Sequence, residues 1–574
     1  MLLIAVCILI NSAVLSGIGW LVMKIARMAV FTQISAAKAF WLGWAVVIAV
    51  LQIWHFFLPV NFLLLILILI TSAAGWYFLV RIAKIKEILT PSNLVFVVFM
   101  ALPLIIISNH VMFSEPSYDH GLYHFQTVKW FNQFPLVRGL GNLHHRLAFN
   151  ATSMLYGALL NTGPLKGYGF YFANATMIFV VLVQLLWSLM NWLKQPFWEN
   201  RNALFNALIL PVVLWQASVY PLPGYSADMT IFALQVVLAG AWLSLVDQSP
   251  HETGFKHNAL FIAVLVAAGI TVKLSFAVFG AALLVCMLVL WLRAPAQKGR
   301  FSAPFVWAVL LGIWVLPWLA RNAFMSGYLL YPTRLLSLPV QWKMPSFLIN
   351  DISSGITLWA RTYSGQIAYT ADPAWFATWL IRFVYEPRLA FVLGVVILVL
   401  LAIFSIIAKK KVSIYRGYVM LIIISLFSII FWFISGPTYR FSGAAIWIFF
   451  FSAVLAMYQF IDQQWGGMVA ARFALLIMMF MFFNLRPEFS RNISPSRLLF
   501  PVNEQAVAEQ QQPLAGMTTG TTISGLSVNM PPEQNPETCW DYPLPCTTRK
   551  DFVERLQLID PQDISKGFYI PDSP

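Results

Sequence analysis

From Leu389 to Ala408, twenty consecutive residues carry no charge. A helix crosses the hydrocarbon core of a bilayer in about 20 apolar residues, so a run of this kind fixes what the segment can be. The chain repeats it. Fourteen stretches are expected to span: 2–23, 39–57, 59–80, 93–113, 169–193, 204–220, 228–246, 259–272, 274–292, 303–320, 389–408, 417–435, 442–460 and 472–485. Of the 574 residues 60% are hydrophobic and only 10% charged, where a soluble domain carries about a quarter charged residues. Mean hydropathy is +0.76. These features exclude a soluble enzyme, a disordered chain and a disulfide-rich secreted module. They predict an all-α polytopic membrane protein with about 14 transmembrane helices. No basic stretch precedes the first span and no small-residue cleavage site comes after it, so it is read as a membrane helix rather than a signal peptide.

The net charge of +14 suggests a nucleic-acid partner only until its distribution is examined. From Arg486 onward there are 7 Lys and Arg against 11 Asp and Glu, so the tail is acidic and the excess belongs to the membrane part. There it sits in short loops, at Lys24, Arg27 and Lys38, at Arg81, Lys84 and Lys86, at Lys194, Arg201 and Lys256, at Arg293, Lys298 and Arg300, and at Lys409, Lys410, Lys411 and Arg416. With fourteen spans all of these fall on one side, as the positive-inside rule requires of a cytoplasmic face. The long loops 114–168 and 321–388 and the tail then face outside. The expected division is a transmembrane domain, 1–485, and a periplasmic C-terminal tail, 486–574. The stretch Gln510–Gly525 reads as a linker, and the residues beyond Gly525 as a small ordered lobe. No internal repeat of the kind many transporters carry is visible.

Cys7 and Cys286 lie in apolar runs and are expected to pack there. Cys539 and Cys546 bracket a polar segment. Zinc would want a shorter spacing and a second Cys/His pair, so a local disulfide is expected, in keeping with an oxidising compartment. No cofactor is called for; a divalent metal is conceivable at His120, His124, His144 and His145 with Glu115 or Asp119, but their spacing matches no metal motif.

Chemistry concentrates where the fourth span leaves the membrane, in Ser-Glu-Pro-Ser-Tyr-Asp-His-Gly-Leu-Tyr-His, 114–124. Glu115, Asp119, His120 and His124 cluster there. Leu122, Phe125, Val128 and Phe131 recur every three positions, the pattern of an amphipathic helix along the interface. Asp119 heads that helix, either as an N-cap or as a general base at the mouth of a cavity, and the two roles are compatible. His144, His145 and Arg146 come next in a Gly-containing turn suited to an anion. Asp228 opens the seventh span, Lys273 interrupts an apolar stretch, Arg321 ends the tenth, and Arg440 sits in Ser-Gly-Pro-Thr-Tyr-Arg-Phe. Charges at such depth face a cavity or a partner, and several together would clamp a phosphate. Arg361 and Asp372 are weaker candidates in the second long loop. No P-loop or dinucleotide fingerprint occurs, so an activated substrate would come from the lipid or from outside.

These residues resemble the GT-C superfamily of membrane glycosyltransferases. Members are polytopic, carry a catalytic acid in the first large external loop and commonly use a polyprenyl-phosphate-linked sugar. Asp119 in Glu-Pro-Ser-Tyr-Asp-His-Gly-Leu-Tyr-His matches the acidic position. Pro-Trp-Leu-Ala-Arg-Asn, 317–322, followed by Ser-Gly-Tyr-Leu-Leu-Tyr-Pro, is similar to the segment before the second long loop of many bacterial members. Tyr-Asp-x-Gly-Leu-Tyr-His, Gly-Leu-Gly-Asn-Leu-His and Cys-Trp-Asp-x-Pro-Leu-Pro-Cys also look like a group of bacterial GT-C-like membrane proteins. Here four spans precede the acidic loop, and the acid is a single Asp followed by His.

The resemblance implies an inverting glycosyltransferase at the outer face of a bacterial inner membrane, acting on a glycan, lipid or protein acceptor. Asp119 would be the base, with Glu115, His120 and His124 beside it. Arg321, Arg440, Lys273, Arg146, His144 and Asp228 would form the donor-phosphate site. A transporter or flippase for a lipid-linked glycan, or a polysaccharide polymerase or ligase, are the alternatives.

Overall fold

The computed structural model describes all residues except 29–34, 83–89, 193–200, 221, 295–300, 363–374, 378, 381–388, 409–411, 486, 490–496, 512–515, 534–536 and 572–574. Among the expected features, Lys84, Lys86, Lys194, Lys298, Arg300, Lys409, Lys410, Lys411 and Asp372 lie outside the described residues.

Helices dominate. The long apolar ones are α1 (Leu2–Ile25), α2 (Ser35–Trp54), α3 (Phe62–Ile82) and α4 (Pro91–Phe113). Three short helices occupy the first long loop, α5 (Phe125–Gln133), α6 (Leu140–Leu143) and α7 (Thr152–Leu160). Six more long helices come next: α8 (Gly169–Trp192), α9 (Arg201–Val219), α10 (Ala227–Val246), α11 (Thr253–Val272), α12 (Phe276–Arg293) and α13 (Ser302–Ser326). Beyond them are α14 (Ser346–Thr362), α15 (Leu389–Ile407), α16 (Arg416–Ser435), α17 (Ala445–Trp465), α18 (Gly467–Asn484) and a short α19 (Glu504–Gln511). Among the described residues thirteen helices are long and apolar enough to cross a membrane, and α18, on the expected fourteenth span, holds a shorter apolar stretch. The chain is an all-α, multi-pass membrane protein.

Local chemistry sets the helix ends. Thr90 caps α4 by accepting the Asn93 amide, with Pro91 at the first helical position, where its missing N–H costs nothing. Gly327 ends α13 in the left-handed conformation, a role that glycine fills without a Cβ penalty. The tenth expected span stopped at 320, but α13 runs to Ser326. Arg321 and Asn322 are therefore helical, because their polar groups find buried partners.

The α1–α2–α3 corner is built on small residues. A Cβ at Gly19 would overlap the Ala39 carbonyl, one at Gly43 the Leu15 carbonyl, and one at Gly75 the Gly17 carbonyl. Such backbone contact is how helices associate where lipid supplies no hydrophobic drive.

Contacts sort the helix ends into two groups. At one end the Met1 ammonium donates to the Arg497 carbonyl (2.9 Å), and Arg321 of α13 meets His55 just beyond α2. At the other, Lys38 of α2 donates to Asn258 of α11 (2.6 Å), and Arg201 of α9 pairs with Asp247 beyond α10 (3.0 Å).

The expected interfacial helix takes a different form. His120–His124 is a π turn, and α5 continues it. Phe125, Val128 and Phe131 are buried, but so are Gln126, Thr127 and Trp130, so the helix has no wet face of the kind an interfacial helix keeps. The reason is the tail. Gln126 Nε2 donates to the Trp540 and Tyr542 carbonyls (3.0 and 2.9 Å), and Lys129 pairs with Asp541 (2.5 Å). Two small antiparallel sheets shape the tail: β1 (Thr518–Thr521) with β2 (Ser527–Met530), and β3 (Gln557–Leu558) with β4 (Phe568–Tyr569). The Phe568 amide donates to the Arg138 carbonyl of the first loop (3.0 Å).

Candidate functional site

Four charges from four separate parts of the chain meet at the end of the bundle that carries the first loop. Asp119 lies between α4 and the π turn. Asp228 lies in the first turn of α10, its amide bonded to the Ser226 hydroxyl (3.2 Å). Lys273 is the extended residue at which α11 stops. Arg440 sits in a 3-10 turn, 439–442, between α16 and α17. Tyr439 anchors that turn, its hydroxyl accepting from Trp447 Nε1 (2.7 Å).

Arg440 bridges the two acids. Its Nη1 lies 2.7 Å from Asp119 Oδ2, and its Nε lies 3.5 Å from Asp228 Oδ2. Lys273 closes the group on Asp228 Oδ1. Two carboxylates thus balance two cations. Side-chain exposure runs from 15% at Asp228 to 27% at Arg440, buried enough for strong electrostatics and open enough for a ligand to reach. Aromatic faces complete the wall: Lys273 Nζ lies 4.1 Å from the Phe441 ring centre, and the Arg440 guanidinium 4.9 Å from that of Trp359. Burial alone would lower the Arg440 pKa, but the Asp119 and Asp228 carboxylates more than offset it and hold the cation above its ordinary range. Asp119 makes no capping hydrogen bond. The N-cap role is therefore not its role here; its carboxylate turns to Arg440 instead.

Two buried histidines underlie this group. His120 Nδ1 lies 2.7 Å from the Ser117 hydroxyl. Its ring packs so closely on Gly224, at φ +136°, that a Cβ there would overlap it. Burial lowers the His120 pKa to about 4, against the opposing pull of the Ser117 carbonyl and Asp119. His124 lies well below the usual range, through burial, then His120 and Arg440. Both rings are neutral at pH 7, so they act as packing and hydrogen-bonding groups rather than as imidazolium acids. A histidine depressed in the fold binds its proton more readily when unfolded. Its stabilisation is complete above pH 6.5 and is lost as the pH falls towards about 4, a cost of roughly 3 kcal/mol for His120 alone. Thermal midpoints in detergent should fall across that window, and His120→Gln should flatten the fall.

Arg321 is placed elsewhere. It is fully buried, at 0% exposure. Its Nε donates to Asn150 Oδ1 (2.9 Å) and its Nη1 to His55 Nδ1 (2.8 Å), with the Phe131 ring beneath. None of these partners belongs to the Asp119 group. Arg321 ties α2 and α13 to the first loop and lies apart from the Asp119 group. Arg321→Met would take the donor away from Asn150 Oδ1 and His55 Nδ1, two buried acceptors, at a cost of about 2–4 kcal/mol. The expected result is a lower thermal midpoint, measured in detergent.

His144 and His145 stack with centroids 4.9 Å apart, and His144 Nε2 lies 3.0 Å from the Thr548 hydroxyl. Burial lowers the His144 pKa to about 3, helped by Arg146 and Arg549. His144 thus serves the seat of the tail. Arg146 is half-buried and lies within electrostatic reach of both Tyr123, beside Asp119, and His144. Glu115 is exposed, and none of the described ion pairs includes it.

The tail reaches the edge of the site. Cys539 and Cys546 are joined by a disulfide. The Trp540 amide within that loop donates to the Gly121 carbonyl (2.8 Å), and a Cβ at Gly121 would strike the Trp540 indole. Tyr118, next to Asp119, bonds Glu537. Sequence reasoning missed Tyr118, Trp359, Phe441 and Trp540. The bracketing cysteines were the one signal pointing at Trp540, and nothing in its spacing tied it to Gly121.

A family model described as Domain of unknown function (DUF8201) matches residues 1–447, a stretch that contains Asp119, Asp228, Lys273 and Arg440 but not the tail. No curated protein and no solved structure matches the chain.

Proposed function

The chain belongs to the DUF8201 family, whose description names no activity, and we propose from its own geometry that it is a GT-C-type inverting glycosyltransferase using a polyprenyl-phosphate-linked sugar. The observation that carries this reading is a single guanidinium, Arg440, held between the carboxylates of Asp119 and Asp228 in a group that Lys273 brings to balance. A lipid phosphate entering the group would compete for Arg440 and Lys273 and release Asp119. The freed carboxylate takes the acceptor hydroxyl proton as the oxygen attacks the anomeric carbon. The bond from that carbon to the phosphate oxygen breaks, its electron pair leaves with the phosphate, and Arg440 and Lys273 hold the charge that develops. His120 and His124, neutral and buried, fix the turn that carries Asp119.

The site end of the bundle is assigned to the outer face of a bacterial inner membrane, with the tail periplasmic. Two observations support this orientation. Lys24, Lys38, Arg201 and Arg416 gather at the opposite end, as the positive-inside rule favours, and the tail at the site end carries a disulfide. The acceptor is a cell-envelope glycan, lipid or protein.

The test is covalent transfer of labelled sugar from a polyprenyl-phosphate donor by the detergent-solubilised full chain, with no membrane to cross. Transfer that depends on Asp119 supports the reading. Donor binding without transfer to any glycan, lipid or protein acceptor would put a flippase in its place.

A further inference from the structure

We propose that a groove at the end of the bundle remote from Asp119 binds an anionic glycerophospholipid. The groove holds about 220 Å³ between the first turns of α11, the last turns of α12 and the first turns of α13. Lys273, at the far end of α11, belongs to the Asp119 group. Lys256 lies seventeen residues earlier on the same helix, so about 25 Å separates the two sites at 1.5 Å per residue.

The walls are built for hydrocarbon. Trp291 packs edge-on to Trp307, with centroids 6.2 Å apart, and stacks on Phe255 at 6.1 Å. Leu260, Ala303 and Val306 complete the apolar lining. The occupant comes from the bilayer, because the groove opens beside the outward face of α13, where Phe305, Val306 and Val309 are all exposed. Tryptophan at a helix end is the usual marker of the membrane–water boundary.

The rim is built for an anion. Lys256 and His257 border the groove from the first turn and a half of α11, where the helix dipole also favours negative charge. Lys38 lies within electrostatic reach of His257, and Arg293 is exposed at the end of α12. The neighbouring acid, Glu252, accepts the Ser249 amide (3.1 Å). A basic pocket between membrane helices, continuous with an apolar groove, matches a phospholipid in both parts. Inorganic phosphate would satisfy the rim alone and gain nothing from the tryptophans.

The experiment titrates phosphatidylglycerol and phosphatidylcholine of identical acyl chains onto the delipidated full chain in detergent and counts bound lipids by native mass spectrometry. Phosphatidylglycerol should bind at least about fivefold tighter, the increment expected for one basic side chain near a lipid phosphate. Lys256→Gln should remove most of that preference. Val306→Trp, at a position 44% exposed and so outside the packed core, should fill the groove and weaken both lipids. Millimolar inorganic phosphate should not displace the lipid.

Equal affinity for the two lipids would overturn the proposal, as would displacement by inorganic phosphate. So would a preference that survives Lys256→Gln but disappears in Lys273→Gln, since that would place the lipid at the Asp119 group. The outcome is independent of whether that group transfers sugar.

Discussion

Asp119→Asn is expected to lower sugar transfer by about 10²–10⁴-fold, the usual contribution of a positioned general base, while folded yield stays near wild type. The carboxamide is close in shape to the carboxylate, and its oxygen still accepts from Arg440 Nη1, now 2.7 Å from Asp119 Oδ2. What disappears is the basic group and one negative charge. The two cations are then opposed by Asp228 alone, so the group becomes net positive. Donor affinity should hold or rise as turnover falls, because Asp119 no longer competes with the lipid phosphate. A purely structural role predicts the opposite pairing, with yield and affinity falling together. Turnover near wild type in this variant would remove Asp119 from the chemistry.

The second large effect is at Arg440. Arg440→Gln leaves Asp119 and Asp228 facing Lys273 alone, and it removes the cation that both acids share. Loss of a group that meets charge developing in the transition state costs about 10²–10³ in kcat, and donor KM should rise as well. Arg440→Lys should rescue little. One ammonium cannot reproduce a planar fork that reaches Asp119 through Nη1 and Asp228 through Nε. The two substitutions should also be strongly non-additive, since Arg440 and Asp119 contact each other directly. Steady-state rates for the two single variants and the double variant measure that coupling. Simple additivity would contradict a shared role.

The helices were legible because periodicity and length are local properties. A run such as Leu389–Ala408 declares itself without reference to the rest of the chain, and among the described residues thirteen long apolar helices stand where spans were read. The charged residues at helix ends were legible for a related reason: Lys273 interrupts apolar sequence, Asp228 opens a span and Arg440 lies between two spans, and burying an unpaired charge there is costly. Which charges meet was a different question. Arg321 and Arg440 look alike in sequence, yet one hydrogen-bonds Asn150 and His55 and the other pairs with two carboxylates. The partners of Arg321 lie 171 and 266 residues away, and no periodicity encodes such a distance. The burial of α5 shows the same limit. Its three-residue spacing was real, but the tail that covers its polar side begins more than 350 residues later, and its Asp541 and Trp540 contacts leave no trace in the helix itself.

The most direct test of the central claim is a density map of the full chain in lipid nanodiscs with polyprenyl-phosphate added. The account predicts phosphate density within hydrogen-bonding reach of both Arg440 and Lys273, with the Asp119 carboxylate released from Arg440. Lipid phosphate bound away from these two cations, with the Arg440–Asp119 pair intact, would contradict it.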